Sequence, residues 1–84
     1  MKIKVFTLPT CPSCPNAKAI AKEVATEMNV EYAEFDLSNP DGMIEGLMYQ
    51  IMSTPSIVID DAVISRGKLV PKVQLLEEVR KRLK

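Results

Sequence analysis

The chain predicts an α/β fold, a mixed four-stranded sheet flanked by three helices in the order β-α-β-α-β-β-α. Three observations carry that prediction. Hydrophobic periodicity switches repeatedly between strand-like and helical, a pattern that needs helices layered on a sheet. The first half forms a strand–helix–strand unit, which crosses over right-handed and pairs its strands in parallel. The second half contains two short β-rich runs joined by two residues, which pair as an antiparallel hairpin. With 84 residues, 46% hydrophobic and 26% charged, residues 1–84 are expected to form a single domain with a modest core. No internal repeat, low-complexity tract or linker divides the chain.

Lys2 to Leu8 carries Ile3, Val5, Phe6 and Leu8 and reads as a strand buried on both faces. From about Ser13 to Met28, Ala17, Ile20, Ala21, Val24 and Met28 recur at helical spacing, and Asn29 offers a stop. Glu31 to Leu37 alternates, with Ala33, Phe35 and Leu37 on one side and a wetter Tyr32, Glu34 and Asp36 on the other. Ser38-Asn39-Pro40-Asp41 turns into a second helix, with Pro40 suited to its first position. That helix runs to about Tyr49 although Gly42 and Gly46 weaken it, and Met43, Met48 and Ile51 are expected in the core. Ser56–Asp60 and Ala62–Ser65 are the hairpin strands. Gly67–Val70 leads to a last helix, Pro71–Leu83, with Val73, Leu76, Val79 and Leu83 as its buried stripe. Glu77–Lys81 and Glu78–Arg82 fall at i,i+4, and Arg80, Lys81, Arg82 and Lys84 complement the helix dipole.

Composition removes several kinds of chemistry. The chain has no histidine, which excludes imidazole bases, Ser-His-Asp triads and histidine-containing zinc sites. Eleven basic residues balance eleven acidic ones, so no nucleic-acid or anionic-membrane partner is expected. No apolar run approaches the roughly 18–20 residues that span a bilayer. The opening Met1-Lys2-Ile3-Lys4-Val5-Phe6 lacks the pattern of a secretory signal, and a cytoplasmic location is expected. In that compartment, two closely spaced cysteines are more often catalytic or metal-binding than structural.

Those cysteines are Cys11 and Cys14, between the first strand and the first helix. Two intervening residues at the start of a helical turn bring both sulfurs within bonding reach. Amide donors and partial positive charge at the helix N-terminus favour thiolate at the first sulfur. Thiolate is the nucleophile: a thiol with a pKa near 8.5 is about 3% ionised at pH 7, one near 7 about half. The spacing gives Cys11 the attack on a substrate disulfide and Cys14 the resolution of the mixed disulfide. If Cys11 caps the helix, Pro12 takes the first helical position and Pro15 the fourth, deleting one intrahelical bond. Alternatively, the regular helix begins later, capped by Ser13. The first arrangement leaves only Ser13 and Cys14 as donors to Cys11 and implies a moderate lowering of its pKa.

Two other uses of the pair fit less well. Closing a four-residue loop restrains the unfolded chain by only roughly 2 kcal/mol, so stability is a poor reason for this spacing. A zinc or iron–sulfur site needs four ligands where one chain offers two cysteines. A copper carrier would need a β-α-β-β-α-β order, against a final segment, Leu75–Leu83, that is plainly helical.

The β-α-β-α-β-β-α order, Cys11-Pro12-Ser13-Cys14 after the first strand, and Thr54-Pro55 just before Ile57-Val58-Ile59 together resemble the thioredoxin/glutaredoxin superfamily. The likeness covers essentially the whole chain and is nearest to the small redox proteins of archaea. It implies a thioredoxin-like fold and a thiol–disulfide oxidoreductase, a protein-disulfide reductase or dithiol electron carrier. Cys11 and Cys14 are the catalytic residues it implies. It also implies a cis Pro55, a backbone edge at Thr54 that pairs with the substrate chain, and an apolar rim of Pro9, Pro12, Met52 and Pro55 for docking an extended segment. The partners are disulfide-containing target proteins and an electron donor resembling the flavoprotein thioredoxin reductase. No cofactor is needed, and a monomer is expected.

The chain departs from the family pattern at several positions. Thr10 stands where thioredoxins carry tryptophan, and Val5 stands where they bury an aspartate beneath the disulfide. Ser13, Leu8 and Arg66-Gly67-Lys68 replace the tyrosine, lysine and Gly-Gly-acidic segment of glutaredoxins. Glutathione-coupled reduction is therefore the second reading, and metal carriage the third.

Overall fold

A computed structural model of the chain describes residues 1–83. The expected role of Lys84 at the last helix end lies outside the described residues. In chain order the elements are β1 (Lys2–Thr7), α1 (Cys14–Met28), β2 (Glu31–Asp36), α2 (Pro40–Met48), β3 (Ser56–Ile59), β4 (Ala62–Arg66) and α3 (Lys72–Arg82). The strands lie side by side as β2-β1-β3-β4. β1 and β2 run parallel, with Thr7 opposite Asp36. β3 runs antiparallel to β1, with Ser56 opposite Phe6, and to β4. The sheet is mixed, as the sequence predicts. The hairpin turns at Asp60, whose positive φ of 53° an aspartate tolerates and whose carboxylate accepts from the Lys2 amide.

Each face of the sheet carries its own core because side chains alternate along β1 and β3. Ile3, Val5, Ile57 and Ile59 pack with Ala21, Val24 and Ala25 of α1 and Leu75 and Val79 of α3. Phe6 and Val58 point the other way and pack with Ile51. Phe6 stacks on Phe35 with ring centroids 5.3 Å apart and meets Tyr49 edge-on. Burying any one of these large side chains is worth about 1.5–3 kcal/mol.

β2 differs from its expected one-wet-face pattern. It is an edge strand with none of its residues fully buried, and Tyr32 packs against the α1/α3 core while Phe35 packs against the other. The buried stripe of α3 is Leu75 and Val79, with Leu76 at its margin. Val73 is exposed because it falls outside that arc, and Leu83, which continues it, is exposed as the C-cap residue just past the end of α3. Glu78–Arg82 forms at 2.8 Å as expected, but Lys81 turns to Glu78 at i,i+3 and not to Glu77.

The expected core role of Met43 and Met48 is wrong. They are 51% and 67% exposed, with Ile44 and Leu47 beside them, whereas Ile51 is buried. The cause is glycine. α2 turns Gly42 and Gly46 inward, and a Cβ at Gly42 would stand 2.0 Å from the Asp36 carbonyl oxygen. The two glycines weaken the helix intrinsically but let its backbone lie against the end of β2.

Candidate active site

The site forms where β1 gives way to α1. After Thr7 the chain leaves the sheet, and the Cys11 amide donates to the Leu8 carbonyl at 3.1 Å. A short turn through Pro12 and Ser13 then feeds Cys14, the first residue of α1. Ser13 occupies the N-cap position, with its carbonyl accepting from Ala17 at 3.0 Å, but its hydroxyl makes no capping bond. Of the two arrangements open to the sequence, the helix adopts the later start. Pro15 therefore falls in the first turn, where its missing N–H was an orphan in any case.

Cys11 and Cys14 form a disulfide, with their Cα atoms 5.4 Å apart. Their surroundings are unequal. Cys14 is only 2% exposed and belongs to the buried face of α1, whereas Cys11 remains partly open to solvent. Beside the pair is a cleft formed with Leu8, Pro9, Lys18 and Asp36. Asp36, the last residue of β2, accepts two hydrogen bonds at one carboxylate oxygen, from the Ser38 hydroxyl at 2.6 Å and the Ser38 amide at 2.8 Å. These bonds, with the charge of Lys18, hold its carboxyl below the usual carboxylate range.

The Thr54-Pro55 bond is cis. Because Ser56 opposes Phe6 across antiparallel strands, Pro55 stands at the sheet edge from which Leu8–Cys11 depart. Pro55 is buried, Thr54 half-buried, and Pro9, Pro12 and Met52 are exposed. Met52 is 87% exposed, so it rests on no core. The cleft brings together Cys11, Cys14 and Pro9, while Pro12, Met52, Thr54 and Pro55 lie outside its lining. Lys18 and Asp36 are site residues that the sequence reading passes over. For Lys18 the signal was present, since it follows Cys14 by one helical turn. Asp36 required the parallel pairing of β1 with β2.

Among the described residues, no three or more cysteine, histidine or acidic side chains gather as a metal site. The strand order also differs from that of the copper-carrier alternative. A mixed sheet of this topology, with a half-open disulfide at the start of α1 and a cis-proline before β3, defines a thioredoxin-fold thiol–disulfide oxidoreductase. A family model described as a thioredoxin domain matches residues 1–81. The chain belongs to the thioredoxin family. It is similar to a thioredoxin of Methanocaldococcus jannaschii, 42% identical over 99% of this chain and 96% of that one. It is likewise similar to a probable thioredoxin of Archaeoglobus fulgidus, 34% identical over 98% and 88% of the two chains. The solved structure of thioredoxin 1 from Thermosipho africanus shares the fold, with a TM-score of 0.78 at 17% identity, covering 99% of this chain and 94% of that one.

Proposed function

We propose that this chain reduces disulfides in other proteins, with Cys11 as the attacking thiol and Cys14 as the resolving one. The observation that carries this assignment is the difference in exposure between two bonded sulfurs, one half-open and the other 2% exposed within α1. In the reduced protein, the Cys11 thiolate attacks one sulfur of the target disulfide. A mixed disulfide forms and one target thiolate leaves. Cys14, after losing its proton, attacks the Cys11 sulfur from behind. That step closes Cys11–Cys14 and releases the second target thiolate, so two electrons pass to the target.

The target's extended segment lies across the exposed Pro9, Pro12 and Met52, with the Thr54 backbone as its hydrogen-bonding edge and Pro55 behind it. Its partners are disulfide-containing proteins. A flavoprotein of the thioredoxin reductase kind returns the electrons in a reducing cytoplasm, where the chain acts as a monomer. Among the described residues, no helix is long and apolar enough to cross a membrane.

A protein-disulfide reduction assay tests the assignment. Cys11→Ser should abolish turnover, and Cys14→Ser should accumulate one covalent adduct through Cys11. Turnover retained by Cys11→Ser would overturn the assignment, and an adduct trapped through Cys14 in Cys11→Ser would reverse the roles. Running the assay with thioredoxin reductase and with glutathione as alternative donors separates the two electron sources.

A further inference from the structure

The cleft beside the disulfide holds two charged side chains, Lys18 and Asp36. Everything else lining it is apolar, hydroxyl-bearing or one of the two sulfurs. Lys18 follows Cys14 by four residues on α1, so both side chains leave the helix on one face, a turn apart. Its stem is half-buried, which limits where its ammonium can go. Asp36 faces it from the end of β2 and is fixed by the two bonds from Ser38. Lys18 acts on it through charge and not through a hydrogen bond. The other titratable groups on that face of β2 are engaged with each other, the Tyr32 hydroxyl donating to Glu34 at 2.8 Å. Val5, at the position where the family resemblance implies a buried aspartate, is fully buried and apolar, so it supplies no charge.

We propose that Lys18 and Asp36 are opposed positioning charges that set the ionisation of the cysteine pair, Lys18 favouring the thiolates and Asp36 opposing them. The chemistry follows from Coulomb's law in a partly dried cleft. A thiolate beside an ammonium is stabilised relative to the thiol, and one beside a fixed carboxylate is destabilised. Pro15, in the first turn of α1, removes one of the amides that would otherwise help the helix terminus to hold an anion. Side-chain charge therefore carries more of the task here than amide donors do. Stabilising the thiolates also stabilises the reduced protein against its disulfide, so the same two residues bias the redox equilibrium in opposite directions.

The inference rests on Cys11 being the attacking thiol, and the experiment keeps the two questions apart. The pH dependence of Cys11 alkylation is measured in the Cys14→Ser background, alone and with Lys18→Gln, Lys18→Arg or Asp36→Asn. Lys18→Gln should raise the Cys11 pKa by roughly 0.5–1 unit, and Asp36→Asn should lower it by a similar amount. The Lys18→Gln alkylation rate then falls about three- to tenfold near pH 6 and is unchanged near pH 10. Damage to the fold would depress the rate at both pH values. Lys18→Arg should keep the parent value, and raising the salt to about 0.5 M should shrink both shifts. In the dithiol protein, equilibration with glutathione should move toward the disulfide for Lys18→Gln and toward the dithiol for Asp36→Asn. A Cys11 pKa unmoved by Lys18→Gln, or raised by Asp36→Asn, overturns the proposal. Turnover surviving Cys11→Ser overturns the assignment of roles while leaving the charge effect measurable.

Discussion

Replacing Gly42 with alanine probes the closest approach in the fold. A Cβ at this position would sit 2.0 Å from the Asp36 carbonyl oxygen, 2.6 Å from its carbonyl carbon and 3.0 Å from its nitrogen. Non-bonded heavy atoms prefer about 3.5–4.0 Å, so α2 must lift away from β2 by more than about 1 Å. The obstacle is strand backbone, which cannot rotate aside as a side chain can. Overpacking of this kind costs about 3 kcal/mol, the upper end of the usual range. Alanine returns about 1 kcal/mol of helix propensity. The net loss is about 2 kcal/mol, or a fall in Tm of roughly 8–16 °C for a domain of this size. Gly46→Ala is the matched comparison, because its Cβ would meet the Leu37 Cδ2 methyl at 2.6 Å. That methyl ends a half-exposed side chain and can move, so the strain largely cancels the propensity gain and the change stays within about 1 kcal/mol. Thermal and urea unfolding of both variants measures the difference. A Gly42→Ala protein as stable as the parent, or less damaged than Gly46→Ala, would refute the close-approach argument.

Alkaline pH should weaken the fold through two groups. Lys4 donates to the Tyr49 hydroxyl at 2.9 Å and to Glu45 at 3.1 Å, and these bonds raise its pKa above 10.5 in spite of burial. Burial, then the bond to Glu34, raises the Tyr32 phenol above its usual 10.0. Both pKa values are raised, so their stabilisation is full below the unfolded values and disappears as pH climbs through the folded ones. Lys4→Met and Tyr32→Phe should each flatten the decline in urea stability between about pH 9.5 and 11.5, and an unchanged slope would contradict the cause given. Met43→Gln and Met48→Gln should each alter stability by less than about 0.5 kcal/mol, since both side chains face solvent; a loss of 2 kcal/mol or more would mean they are packed. Leu75→Ala, at a fully buried side chain of the α1/α3 core, should cost about 2–5 kcal/mol in the same measurement.

The elements were legible because each announces itself locally. The period of two in Glu31–Leu37, the helical spacing from Ala17 to Val24 and the stop at Asn29, which adopts φ 55°, are short-range signals. What failed was the inference from apolarity to burial in α2 and α3. Met43, Ile44, Leu47 and Met48 form an apolar arc that any helix reading assigns to the core. Gly42 and Gly46 define an equally valid inward arc, invisible to hydrophobicity because glycine contributes almost none. A helix that packs by backbone approach inverts the usual pattern. Two glycines four residues apart in a helix with an apolar opposite face are the cue to that inversion. In α3, Val73 and Leu83 continue the apolar series, but the contact is centred on Leu75 and Val79.

The site divides along the same line between local and distant geometry. Cys11 and Cys14 belong to one turn of chain, so their bonding follows from spacing. Asp36 comes 22 residues after Cys14 in the sequence yet lines the same cleft. This follows from connectivity once the parallel pairing is accepted. A right-handed strand–helix–strand unit ends both strands at one edge of the sheet, so the last residue of β2 lies level with the last residue of β1, as Asp36 does with Thr7. The antiparallel strand β3 must begin at that edge, which brings the residue before it, Pro55, to the same place. Reversing β3 would carry Pro55 to the opposite end of the sheet and leave the cysteines intact but without it. The strand directions therefore gather the cysteine turn, the Asp36 carboxylate and the cis-proline from three distant parts of the chain, and the groups that tune the sulfurs are found by asking which strands share an end.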